Sequence, residues 1–139
     1  MAVNYSVFQQ KFDVTRKGEL KYYARAQSSG ELKFNKLCKR ISDKCTATKA
    51  DVKVVLEGLI MEIQDSLADS NIVRLGDLGS FQISLSSEGV MNENEITPSS
   101  ITGAKIIFRP GEELKYMLDH LEYKKVRTKR SRSSDKEKV

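Results

Sequence analysis

Two glycines three residues apart, in Val73-Arg74-Leu75-Gly76-Asp77-Leu78-Gly79-Ser80-Phe81, constrain this chain more than any other stretch. The residues before them alternate apolar and polar, as a half-buried strand requires, and glycine accepts the backbone angles of a tight turn. Phe81, Ile83 and Leu85 then share one face, because strand side chains repeat every two residues. The pattern predicts strand, glycine turn, strand.

Helical periodicity precedes it. Phe34, Leu37, Cys38 and Ile41 fall at i, i+3, i+4 and i+7, which predicts a first helix from about Phe34 to Lys44. Thr46-Ala47-Thr48 reads as a turn, with Thr48 as N-cap and Asp51 three residues on. A second helix carries Val52, Val55, Leu56, Leu59, Ile60, Ile63 and Leu67 as one stripe. Val54 and Met61 lie off that stripe, and a helix apolar on more than one side calls for cover from a partner subunit.

The first thirty residues predict β structure. Tyr5, Val7 and Phe12 have polar neighbours, Thr15 to Gly18 suits a turn, and Leu20, Tyr22, Ala24 and Ala26 alternate with Lys21, Tyr23, Arg25 and Gln27. Two tyrosines beside Lys21 and Arg25 have the chemistry to stack bases, but an amphipathic strand covering a core edge is the plainer reading. Beyond Phe81, residues 86 to 103 are rich in Ser, Asn, Glu, Gly and Pro and read as a long loop or hairpin arm. A strand over Lys105 to Arg109 follows. Pro110-Gly111 ends it, and Glu112 to Leu121 predict a last helix with Leu114, Met117, Leu118 and Leu121 as its stripe.

At 139 residues the length suits about one domain, whose small core would gain from dimerisation. No stretch has more than three consecutive apolar residues, so neither a secretion signal nor a membrane span is expected, and the chain reads as cytoplasmic. Cys38 and Cys45, seven apart in the expected first helix, would lie roughly 10 Å apart, too far for a disulfide. They read as core filling and a free thiol. The net charge of +5 is localised: residues 121 to 139 hold eight basic and three acidic groups, and the rest is neutral. From Tyr123 onward the chain therefore reads as a disordered basic tail. No phosphate-binding loop, metal-ligand spacing or Ser/His/Asp set occurs, and His120 has no candidate nucleophile beside it. No enzymatic activity, cofactor, metal or small-molecule substrate is expected.

The order helix, turn, helix, strand, glycine turn, strand, arm, strand, Pro-Gly, short helix resembles the bacterial histone-like HU and integration host factor family. The residues that carry the likeness are "VRLGDLGSF" at 73 to 81, similar to the family's G-F-G-x-F turn, and "FRPGEEL" at 108 to 114, similar to its F-K-P-G-x-x-L entry to the last helix. The front segment resembles that of an HU-related subgroup with an extra N-terminal β segment; Ser28 to Glu31, Ile72 to Asp77 and Ile106 to Gly111 match its motifs. The resemblance implies an α+β fold: a helix pair, a three-stranded antiparallel sheet with a β-arm, and a short C-terminal helix, in an intertwined homodimer. It divides the chain into a β extension at 1 to 30, an HU-like domain at 31 to 122 and a basic tail at 123 to 139. It implies largely sequence-nonspecific binding and bending of double-stranded DNA in the nucleoid, with arms that reach into the minor groove. Val55, Leu59, Ile63, Phe81 and Phe108 would then be dimer-core residues.

The arm departs from the family pattern. It carries Glu88, Glu93 and Glu95 with no Lys or Arg, and lacks the R-x-N-P tip, so Pro98 reads as a loop proline. Carboxylates repel a phosphate backbone. The expected DNA contacts are therefore Arg74, Lys105, Arg109 and Lys115 on the body and Lys124, Lys125, Arg127, Lys129, Arg130 and Arg132 in the tail. A protein-interaction or structural module on an HU scaffold, with weak or no DNA binding, is the alternative that a neutral body and acidic arm favour.

Overall fold

The computed structural model describes residues 1–11 and 20–127. These form a mixed α+β structure with three helices and two three-stranded sheets. The chain divides into two units. One takes Met1–Leu32 together with the chain from His120, and the other is Lys33–Asp119.

In the second unit, helix α1 (Phe34–Ser42) packs on helix α2 (Lys49–Ala68). Cys38 of α1 and Val52 and Leu67 of α2 are its buried apolar side chains. α2 starts where the sequence predicts. The Thr48 hydroxyl accepts from the Asp51 N–H at 3.2 Å, and the Asp51 carboxylate accepts from the Thr48 N–H at 3.0 Å and its hydroxyl at 2.7 Å. That reciprocal arrangement satisfies donors that a helix start otherwise leaves unpaired. Helix α1 ends three residues before Cys45, which is exposed in the following turn, so the two thiols do not share one helix.

Strands β3 (Val73–Arg74), β4 (Gly79–Ser87) and β5 (Ile101–Pro110) form an antiparallel sheet in that order. A single 3₁₀ turn, Gly76–Leu78, joins the first two, and Gly76 at φ +58° and Gly79 at φ +134° occupy backbone conformations that side chains rarely adopt. Strand β5 is longer than the expected 105 to 109, and it makes the first part of the arm a paired hairpin. The pairing shifts register at Ser86/Ser87, and the arm closes through 3₁₀ turns at Glu93–Glu95 and Pro98–Ser100. Pro98 is the first residue of its turn, where its missing N–H costs nothing. Helix α3 (Glu112–Asp119) follows β5, with Glu112 and Glu113 in its first turn, and stops before the expected Leu121.

The first unit has its own sheet. Strands β1 (Ala2–Lys11) and β2 (Leu20–Ala26) pair antiparallel, from Tyr5 opposite Ala26 to Lys11 opposite Leu20. Strand β6 (Glu122–Lys125) pairs parallel with the other edge of β1, from Ala2 opposite Glu122 to Tyr5 opposite Lys125, and the Val126 N–H donates to the Tyr5 carbonyl at 2.8 Å. Tyr123, Lys124 and Lys125, expected to open a disordered tail, are therefore strand residues. Their sequence lacks apolar alternation because main-chain bonds to β1 hold the strand. Phe12 and the expected turn at Thr15 to Gly18 lie outside the described residues.

Candidate nucleic-acid interface

The two sequence motifs on either side of the arm meet in the folded unit. Gly79 pairs with Pro110, Ser80 with Arg109 and Phe81 with Phe108, while the Gly111 N–H donates to the Leu78 carbonyl at 3.1 Å. Register then sorts the side chains of β3, β4 and β5 onto two faces. Arg74 stands opposite Ser80, Ser80 opposite Arg109, Gln82 opposite Ile107 and Ser84 opposite Lys105, so all of these share one face. Val73, Phe81, Ile83, Leu85, Ile106 and Phe108 take the other.

Three of the four body cations named from the sequence, Arg74, Lys105 and Arg109, thus lie on a single polar sheet face. Arg74 and Arg109 are separated by one strand, about 10 Å. Lys115 joins them from α3: with Arg74 and Arg109 it lines a cleft of about 460 Å³ at the base of the hairpin, floored by Gly79, Ser80 and Gln82. Asp77 and Glu112 line the same cleft. Glu112 is a loose partner of Lys115 at 3.9 Å, and both side chains stay well exposed, so the pair costs the lysine little of its reach. All four cations are solvent-exposed, as contacts to a large polyanion must be.

The hydroxyls and amide of Ser80, Gln82 and Ser84 on this face were not singled out from the sequence. Their alternation with Phe81, Ile83 and Leu85 was the available signal: the residues between apolar strand positions necessarily form the opposite face.

Phe81 and Phe108 stack at 5.0 Å between ring centroids with a 38° tilt. Even so, Phe108 remains 43% exposed, and Val55 on α2 is 69% exposed, while Leu59, Ile63 and Phe81 are half-buried. The described tail residues, Lys124, Lys125 and Arg127, belong to the other unit. Lys124 and Lys125 are adjacent on β6 and so point to opposite faces of that sheet, and Arg127 is exposed just beyond it. Lys129, Arg130 and Arg132 lie outside the described residues.

A family model described as "HU domain fused to wHTH, Ig, or Glycine-rich motif" matches residues 1–125. The chain belongs to this HU family. The match begins with the N-terminal sheet and runs to the end of β6, so both units are part of the HU-HIG pattern. The fold is also similar to a crystal structure from Bacteroides vulgatus, of a protein provisionally described as a bacterial DNA binding protein. That likeness has a TM-score of 0.61 at 12% identity and covers 91% of this chain but 50% of the other. This HU-family chain therefore spans half the length of that structure. No curated protein matches the sequence.

Proposed function

We propose that this chain is a non-enzymatic, architectural double-stranded DNA-binding protein of the bacterial nucleoid, acting as a homodimer with little sequence preference. The observation that carries the reading is the gathering of Arg74, Lys105 and Arg109 on one polar sheet face, with Lys115 beside them at the cleft. Cations spread over a rigid sheet neutralise phosphates and release counterions, which gives affinity without reading bases. Lys124, Lys125 and Arg127, with Lys129, Arg130 and Arg132, add a second basic set. HU-family membership supports the same reading. Among the described residues no helix is long and apolar enough to cross a membrane.

The dimer is supported by what a single chain leaves uncovered. Val54, Val55, Ile60 and Met61 on α2, and Ile83, Leu85, Ile106 and Phe108 on the apolar sheet face, are all exposed. Burial of such surface stabilises by about 25 cal/mol for each Å². A second subunit is the cover an HU-type half-dimer requires.

Binding of full-length protein to two unrelated duplexes at low salt tests the function. Affinities within a few-fold of each other are expected, and replacing Lys129, Arg130 and Arg132 by glutamine should weaken both equally. No binding to either duplex would refute the proposal. A second reading, a protein-interaction module, is favoured by the arm, where Glu88, Glu93 and Glu95 lie among exposed Val90, Met91 and Ile96. Unchanged dimerisation without any DNA shift, and capture of a defined protein through the arm, would decide for it.

A further inference from the structure

The register of the N-terminal sheet separates Tyr22 from Tyr23 and gives them different surroundings. Tyr22 shares a face with Leu20, Ala24 and Ala26, and with Tyr5 and Tyr123 across the sheet. Tyr23 falls on the opposite face, opposite Phe8, with Lys21 and Arg25 on either side of it along β2. Side chains two residues apart on a strand are about 7 Å apart, so the Tyr23 ring has a cation on each side. The Phe8 and Tyr23 rings lie 5.9 Å apart with a 34° tilt, and the Arg25 guanidinium sits 4.3 Å above the Phe8 ring. Tyr23 stays 37% exposed, and Lys21 and Arg25 are exposed.

Among the described residues, this face is closed at one end. The Gln27 side-chain amide donates to the Ser6 hydroxyl at 2.8 Å, and Ser6 is buried. Towards the other end, among the described residues, Phe8, Gln10, Lys21, Tyr23 and Arg25 form one patch on this face. Among the described residues the acid on this face is Glu122, opposite Ala2, about 20 Å along the strand from Phe8.

We infer that this patch is a separate binding site for single-stranded nucleic acid, with an unstacked base on the Tyr23 ring, a neighbour against the Arg25–Phe8 stack, and Lys21 and Arg25 on the phosphates. A flat sheet face with aromatic rings between cations suits unpaired bases, which offer a π-face that a duplex keeps hidden. Guanidinium planes stack on bases as rings do, so a base can replace solvent on the outer face of Arg25 without breaking its contact with Phe8. Gln10 supplies an amide for a base edge. The site is independent of the basic face of the β3–β4–β5 sheet and of the duplex binding proposed for it.

Fluorescence anisotropy of the full-length protein with three probes of equal phosphate number tests this: an oligothymidylate, an abasic strand, and a duplex. The oligothymidylate is expected to bind about tenfold more tightly than the abasic strand, the effect of one or two stacked bases. Tyr23→Ala should remove most of that advantage and Tyr23→Phe should retain it. Arg25→Gln should weaken the oligothymidylate several-fold, and duplex affinity should be unmoved by all three changes. Equal binding of oligothymidylate and abasic strand by the unaltered protein would overturn the inference, whatever the variants do. So would a Tyr23→Ala protein with intact circular dichroism and unchanged oligothymidylate affinity.

Discussion

A methyl group on Gly79 would be driven into the Arg109 carbonyl oxygen and to within 2.9 Å of the Phe108 ring, at a φ of +134° that side chains avoid. Gly111 is equally confined, since a Cβ there would collide with the Asp77 backbone. Gly79→Ala is therefore expected to destabilise the protein by about 3 kcal/mol, combining overpacking with backbone strain, as a denaturant midpoint would show. The sequence marked Gly79 as a turn former and Gly111 as part of a strand end. It could not show that each is needed for a close approach to the other motif, because that constraint comes from contacts some thirty residues away along the chain. The α2 cap is the opposite case, a local device read directly from Thr48 and Asp51. The Thr48 hydroxyl, and then its N–H, stabilise the Asp51 carboxylate and hold its pKa below the ordinary value. A carboxyl depressed in the folded state adds stability that is full above about pH 4 and is lost as the pH falls through the folded value. Thr48→Ala should cost about 1 kcal/mol at neutral pH and flatten the acid limb of a stability-against-pH curve.

Among the elements, the proposed function makes the polar sheet face and its cleft the body surface that meets a polyanion. Asp77 and Glu112 oppose three cations there, and Glu112 is the simpler target for removal because it lies at the start of α3 rather than in the glycine turn. Glu112→Gln should raise duplex affinity about two- to fivefold at low salt, with the gain fading as salt screens the site. The cations were named from the sequence and the alternation "GSFQISL" places Ser80, Gln82 and Ser84 away from Phe81, Ile83 and Leu85, but only the strand register brings Arg74, Lys105 and Arg109 onto that one face. Strand β6 was not legible. Glu122-Tyr123-Lys124-Lys125 carries no apolar alternation, and its partner β1 lies at the far end of the chain, so only the pairing itself reveals it. The arm was half legible. Its turn-forming residues were evident, but the pairing of Ser84, Leu85 and Ser86 with Lys105, Ala104 and Gly103 extends the hairpin beyond its apolar residues.

For the whole molecule, the small buried set of Cys38, Val52 and Leu67 in the helical unit is out of proportion to the apolar surface that α2 and the sheet expose. On the proposed reading, a second subunit covers that surface and supplies much of the stability. Phe108→Asp should accordingly abolish the dimer in sedimentation and lower the melting temperature in a concentration-dependent way, since it places a charge in the apolar face beside Phe81. Val54 and Met61, off the main stripe of α2, are both exposed in the single chain, as a helix awaiting the proposed partner would leave them. On the proposed function, the face bearing Arg74 and Arg109 binds duplex DNA by neutralising phosphates. The most direct test of this is the slope of log K against log salt for the full-length protein and for an Arg74→Gln/Arg109→Gln variant. The slope should become shallower by about two for each protomer engaged, with affinity lost on every sequence alike. An unchanged slope in a folded, dimeric variant would contradict it.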